Sequence, residues 1–405
     1  MELLAPAGNL EKLKYAYQWG ADAAYIGLGP FSLRAATDSF TLEQAPVVKQ
    51  IKGSKKLYAA LNMLFHEADL LKLESHLELL KAYPLDAFIL SDLGLVRFLQ
   101  KHFPKAELHL STQASALNSE AVKLYGDLGF QRVILGREAP LREIEKIKKA
   151  APHVELEAFV HGAMCMAYSG RCFLSRWTCG SDRSANQGAC THTCRWEYRV
   201  LEEKQRPGEY LPIETENGYT TILASKDLCM IDHLKALVDA GIDSAKIEGR
   251  MKSIYYTALT VRAYRGALDE VLGRPAPFAP EFKKEVHEVS HREFSTGFYF
   301  DDGEIQKPHD GEYQQNHVFV GSVGKYHQDG LWHLDVRNQI LCGEELEFLG
   351  PEIPSWTDTT YTILDKLEQP CSKADPSKAY FIKSAFPLET GYLLRKRKID
   401  NSERS

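Results

Sequence analysis

The chain contains no run of eighteen apolar residues, so nothing in it reads as a membrane-spanning helix. No G-x-G-x-x-G opens a helix after the first strand, which weighs against a dinucleotide-binding sheet. H-E-x-x-H is missing too: in "HEADLLKLESH" from His66, Leu70 stands where the second histidine would. Nor is there a G-x-S-x-G elbow. The common signatures of metallopeptidases and serine hydrolases are therefore absent. Positive charge is not in excess either, since 49 Lys and Arg against 55 Asp and Glu leave a net −6. That balance argues against broad electrostatic capture of nucleic acid, though not against a local patch. "RKRK" at Arg395–Lys398 is such a patch, with a solvated terminal strand as its plainer reading. The opening "MELLAPAGNLEKLKYAY" lacks a basic leader and an extended apolar core, so a cytoplasmic protein is expected.

What is present alternates. Short apolar strands are predicted at Glu2–Leu4, Ala23–Gly27, Lys56–Asn62, Asp86–Ser91, Glu107–Thr112, Gln131–Gly136 and Val154–His161, each followed by a turn and an amphipathic run. In "NLEKLKYAYQWG", Leu10, Leu13 and Tyr17 share a face and Gly20 closes the end. An eighth strand is predicted at Asp243–Gly249, before "SIYYTALTVRAYRGALDEVL". Eight strand–helix units favour an α/β fold of the (β/α)8, TIM-like type. "GRPAPFAPEF" then marks a boundary, and six short strands from "HVFVGSVGKY" to "GYLLRKRK" suggest a small antiparallel β-barrel of a kind common in RNA- or protein-binding modules. The expected domains are 1–272 for the TIM-like barrel, with an insertion at about 163–228, then 273–310 as linker and short helical segment, and 311–405 as the small β-barrel.

The insertion holds five of the eight cysteines, between Cys165 and Cys194. In a reducing compartment such clustering points to metal or redox chemistry. Six residues separate Cys165 from Cys172, seventeen separate Cys172 from Cys190, and three separate Cys190 from Cys194. Only the last spacing approaches a zinc knuckle. Spacing alone leaves an iron–sulfur cluster, zinc and unligated thiols all open. Because a long loop after a barrel strand lies on the catalytic face, these cysteines are expected at the barrel mouth.

The run "EAFVHGAMCMAYSGRCFLS", with "NQGACTHTCRWEY", "ASKDLCMIDHLKALVDAGIDSAKIEGRMKSIYY" and the N-terminal "ELLAPAGNLEKLKYAYQWGADAAYIG", resembles the U32 family, long labelled peptidases or collagenases. The resemblance spans essentially the whole chain and is strongest to the family's tRNA-hydroxylating branch. It implies oxygen-independent, prephenate-dependent hydroxylation of a wobble uridine to 5-hydroxyuridine, with tRNA and a small dicarboxylate co-substrate as partners. It also implies a [4Fe–4S] cluster, which places zinc second. Cys165, Cys172 and Cys190 match the family's core ligands, Cys194 fits the tRNA-modifying pattern as the fourth, and Cys229 is the alternative fourth ligand. Cys179 matches no ligand position. Other branches suggest a hydroxylase acting on 23S rRNA or, by the older label, a metal-dependent or thiol peptidase; a non-catalytic RNA-binding scaffold is a further alternative.

Polar residues at strand ends should ring the mouth. Asn62, Gln113, Arg137, His161, Glu248 and Arg250 fall there, and Arg34 follows the second strand. Arg34, Arg137 and Arg250 offer cationic forks for a dicarboxylate, with ion pairs to Glu138 or Glu248 as the plainer reading. His161 is the acid–base candidate, with Glu248 beside it and Tyr168 as a stacking or cluster-shielding aromatic, a choice that Trp196 shares.

Overall fold

The computed structural model describes residues 1–33, 40–164, 167–169, 171–172, 174–179, 185–187, 189–193, 226–300 and 313–398. The chain divides into two units: Met1–Tyr17, Ala21–Ser253 and His291–Tyr313 form the first, and Gln18–Gly20, Ile254–Ser290 and Gln314–Ser405 the second. Among the described residues no helix is long and apolar enough to cross a membrane.

The first unit is the expected barrel. Its strands are β1 (Glu2–Pro6), β2 (Ala23–Ile26), β3 (Lys56–Leu61), β4 (Ala87–Leu90), β5 (Glu107–Leu110), β6 (Arg132–Ile134) and β7 (Glu155–Ala163), then β8 (Asp227–Cys229), β9 (Ser244–Ile247) and β10 (Phe294–Ser295). β1 to β7 pair in order, all parallel, and β9 closes the ring by pairing with both β7 and β1. β8 and β10 stand outside it. β8 runs antiparallel to the end of β7, setting Cys229 opposite His161, and β10 lies parallel to β8. Asp227 secures this flap by accepting from Arg292 Nε and Nη2 (3.1 and 2.6 Å), both side chains being buried.

Alternation along the strands sorts the side chains. Ala245 and Ile247 of β9 are apolar, whereas Ser244, Lys246 and Glu248 carry polar groups to the interior. A barrel core is ordinarily filled by branched aliphatics. Here the lower layer is charged instead. Glu2 accepts from Arg132 Nη1 (2.6 Å), Tyr58 Oη (2.7 Å) and Ser244 Oγ (3.2 Å). Arg132 also donates to Glu155 and to Glu157, and Lys246 Nζ donates to Glu157 at 2.7 Å. The two cations of this layer, Arg132 and Lys246, both have carboxylate acceptors, as burial of charge demands.

The second unit contains the helix Ile254–Val271, buried along most of its length, with Arg262 forked onto Glu285. Its strands are β11 (His317–Tyr326), β12 (Trp332–Val336), β13 (Ile340–Leu341), β14 (Leu346–Leu349), β15 (Trp356–Asp358), β16 (Thr362–Asp365), β17 (Lys373–Ala374), β18 (Tyr380–Lys383) and β19 (Leu393–Arg397). Seven of them form a curled antiparallel sheet in the order β15-β14-β19-β11-β12-β18-β16, so β15 and β16, neighbours in sequence, become its two edges. Val320, Leu334, Phe348, Ile363, Ile382 and Leu394 fill the inside of the curl. The basic run "RKRK" is not a free patch. Arg395 is buried and donates to Glu347 (2.6 Å), and Lys396 reaches Glu344 at 2.8 Å.

Candidate active site

Above the charged layer the barrel opens into a cavity of about 650 Å³. Tyr25, Ala60, Ile89, Ile134 and Phe159, from interior positions of the strands, and Ser111, directly after β5, form its throat. Strand ends and the cysteine segment form its mouth.

Most of the expected rim residues meet there: Asn62, Gln113, Arg137, Glu248, Arg250 and Tyr168 all line the cavity. Asn62 Oδ1 accepts the Leu33 N–H (3.2 Å), which ties the loop after β2 to the end of β3. The Gln113 carbonyl accepts Arg171 Nε (2.9 Å), drawing the cysteine segment onto the rim. The Arg137 guanidinium carbon sits over Phe159, 4.0 Å from the ring centroid, and Arg137 donates to the Ala163 carbonyl (2.7 Å). It has no carboxylate partner among the described residues, so the plainer reading, a rim ion pair with Glu138 or Glu248, does not hold for it. Glu138 instead accepts the backbone N–H and the hydroxyl of Ser169 (2.7 and 2.5 Å). Arg250 donates to Ser32 Oγ (3.2 Å) and stands 5.7 Å from the Tyr25 ring. Its carbonyl accepts Lys12 Nζ (2.8 Å), and Gly8 must be glycine because a Cβ would sit 2.5 Å from that oxygen.

Two cysteines share the cavity wall, Cys172 and Cys190. Cys172 Sγ accepts the Leu174 N–H (3.3 Å), and Cys190 Sγ accepts the His192 N–H (3.4 Å) and the Ser175 hydroxyl (3.7 Å). Donors aimed at sulfur stabilise thiolates and suit an iron–sulfur ligand shell. The residues present therefore fit a cluster. Cys165 and Cys194, its other expected ligands, lie outside the described residues, as do Arg34 and Trp196. Among the described residues no three His, Cys, Asp or Glu side chains come together as a metal site. Cys179 Sγ lies 3.6 Å from Thr191 Oγ1.

Two candidates fall elsewhere. His161 is buried beside Phe294 (ring centroids 5.4 Å apart) and is not among the cavity's lining residues. A register shift in β7 between Phe159 and His161 breaks the alternation that would have aimed it inward. Its carbonyl accepts the Glu248 N–H (2.9 Å), so its backbone holds a residue that does line the cavity. Cys229, its cross-strand partner, is likewise absent from the lining.

Lys246 lines the cavity although strand-end reasoning passed over it. Its Nζ sits 4.6 Å from the Tyr25 ring and 5.4 Å from Phe159, with Glu157 beneath. Burial works against its charge and lowers its pKa, with Glu157 opposing the shift and Arg132 and Arg250 adding to it. Burial would push Glu157 up, but Lys246 and Arg132 outweigh it and hold the carboxyl below its ordinary value. The readable signal was a lysine at an alternating inward position of "SAKIE".

Comparison with known proteins agrees with this architecture. Residues 8–308 match peptidase family U32, and residues 315–395 match the peptidase family U32 C-terminal domain. The chain is 36% identical to tRNA hydroxylation protein P of Escherichia coli, over 87% of this chain and 86% of that one. It is 37% identical to tRNA hydroxylation protein P1 of Bacillus subtilis, over 90% and 87%. With the 23S rRNA 5-hydroxycytidine C2501 synthase of Escherichia coli it shares 32% identity, over 83% of this chain and 50% of that one. On these matches the chain belongs to peptidase family U32.

Proposed function

We propose that the protein hydroxylates RNA, and specifically converts the wobble uridine of tRNA to 5-hydroxyuridine without molecular oxygen, using prephenate as co-substrate. The observation that carries the reading is the meeting of Arg137, Arg250, Cys172 and Cys190 around one cavity. The names of the relatives at 36% and 37% identity support tRNA as the substrate. A [4Fe–4S] cluster would be held by Cys165, Cys172, Cys190 and Cys194, and would supply one-electron chemistry at the mouth.

The chain's own residues have separable tasks. Arg137 and Arg250 take carboxylates as planar forks, a geometry lysine does not offer. Arg137 is well prepared for this, since Phe159 packs against its guanidinium and no carboxylate among the described residues competes for it. Tyr168, 57% exposed at the rim, offers a face to a base turned out of the anticodon stack. Tyr25 and Phe159 keep water from the throat.

The test is an iron and sulfide assay with an absorbance spectrum on anaerobically purified protein, beside nucleoside mass spectrometry of tRNA from a deletion strain and its complements. The reading requires a thiolate band near about 400 nm, its loss in Cys172→Ala and Cys190→Ala, and 5-hydroxyuridine that returns with the wild-type gene alone. Colourless zinc protein, or unchanged tRNA in the deletion strain, would overturn it.

A further inference from the structure

We infer that Lys246 is a covalent docking point for a small 2-oxo acid, its amine condensing with the ligand's carbonyl carbon to form a protonated Schiff base on the cavity floor. Among the described residues it is the one lysine that lines the cavity. Its Nζ has three hydrogens and, among the described residues, one hydrogen-bond acceptor, Glu157 at 2.7 Å, with the Tyr25 and Phe159 rings 4.6 and 5.4 Å away. A lysine desolvated this way, with two guanidiniums nearby opposing its charge, is the kind of amine that serves as a nucleophile. Glu157 is fully buried and its Oε1 lies 2.7 Å from Nζ, so it is the group within reach that can accept a proton from Lys246 and return it.

The step balances without any outside oxidant. The Lys246 ammonium passes one proton to Glu157. The free amine attacks the carbonyl carbon, a C–N bond forms, and the carbonyl π pair moves to oxygen. That oxygen takes one proton from the nitrogen and the stored proton from Glu157, then leaves as water. The nitrogen keeps one hydrogen as a protonated imine, and Glu157 is again a carboxylate beside a cation. The charge of the floor is the same before and after, which matters where a net change of charge would be costly. Arg137 and Arg250 at the mouth then hold the ligand's carboxylate. Tyr25 and Phe159 exclude the water that would hydrolyse the imine.

This inference rests on the cavity accepting a small carboxylic acid, as proposed above, and the experiment separates the two. The full-length protein is titrated with phenylpyruvate and with phenyllactate, its 2-hydroxy analogue that cannot condense, and binding of each is measured by calorimetry. In parallel, phenylpyruvate is added with cyanoborohydride, and the product is read by intact mass and peptide mapping. One reduced adduct on Lys246 is expected, with phenylpyruvate bound at least tenfold more tightly than phenyllactate. Lys246→Arg, which keeps a cation beside Glu157, should bind both acids alike and take up no adduct. Equal binding of the two acids with Lys246 unlabelled, or label confined to surface lysines, overturns the Schiff base and leaves the carboxylate site standing. Binding of neither acid overturns both.

Discussion

Glu157→Gln is the sharpest test of the charged barrel floor. Glu157 is fully buried and accepts from Lys246 (2.7 Å) and Arg132 (3.0 Å), both almost fully buried themselves. Removing one partner of a buried ion pair costs about 3–5 kcal/mol, mostly because the other charge is left uncompensated. Glutamine keeps the volume and one carbonyl acceptor but turns an N–H toward a cation. Arg132 retains Glu2 and Glu155, whereas Lys246 loses its one carboxylate partner among the described residues and sheds part of the penalty by deprotonating. A loss near the low end, about 3 kcal/mol, is expected in urea unfolding at neutral pH. Lys246→Met placed in the same chain removes the stranded amine. The double variant should then be more stable than the sum of the single losses by about 2 kcal/mol. A Glu157→Gln loss below about 1 kcal/mol, or strict additivity with Lys246→Met, would show that the floor is not a coupled network.

Other outcomes follow from the same geometry. Cys229→Ala should keep its iron while Cys172→Ala loses it, because Cys172 lines the cavity and Cys229 does not; equal loss in the two would make Cys229 a ligand. Arg137→Lys keeps the charge but gives up a planar fork, and one charge-assisted contact at about 1.5–3 kcal/mol predicts a fall of roughly 10- to 150-fold in 5-hydroxyuridine formation, whereas activity within twofold of wild type would remove Arg137 from the site. Gly8→Ala, whose methyl would meet the Arg250 carbonyl at 2.5 Å, should cost about 1–3 kcal/mol in urea unfolding. In the second unit, burial opposes the charge on His317, but hydrogen bonds with Glu288 and Glu347 outweigh it and raise its pKa, while Glu347 is pulled down to about 2, chiefly by His317 and then by Arg395. The raised histidine stabilises fully below its unfolded value of about 6.5 and loses that contribution as pH rises through its folded value; the depressed glutamate stabilises above about 4.5 and loses its contribution as pH falls toward the folded value. The cluster is therefore at its best between about pH 4.5 and 6.5, and His317→Gln should flatten the stability profile above that window; a profile parallel to wild type would refute the assignment.

The barrel could be read from the chain because its strands are short apolar runs spaced by amphipathic helices, a pattern that survives without tertiary information. All eight predicted barrel strands overlap the observed ones. β8 and β10 could not be read, since "DLC" and "FS" have no periodicity of their own and exist as strands only by pairing with β7 and with each other. The rim residues were legible from their place after each strand. His161 was misplaced by one irregularity of β7, and a register shift leaves no mark in composition. Lys246 and Glu157 were passed over for a different reason. Each sits mid-strand, where charge is usually a solvated face, and only closure of the ring turns that face inward. The "RKRK" run shows the converse: its first arginine looks solvent-directed in sequence and is buried against Glu347 in the sheet.

Closure by β9 also orders events during synthesis. Glu2 of the first strand faces Ser244 of the last, so the ring cannot seal until nearly 250 residues have left the ribosome. The cysteine-bearing segment emerges earlier, before the wall it will share is complete. Glu157 and Arg132 are by then already translated, and Lys246, which settles the charge between them, arrives with the closing strand itself. The residue that completes the floor is thus carried in by the strand that completes the barrel, so a chain interrupted before it has neither.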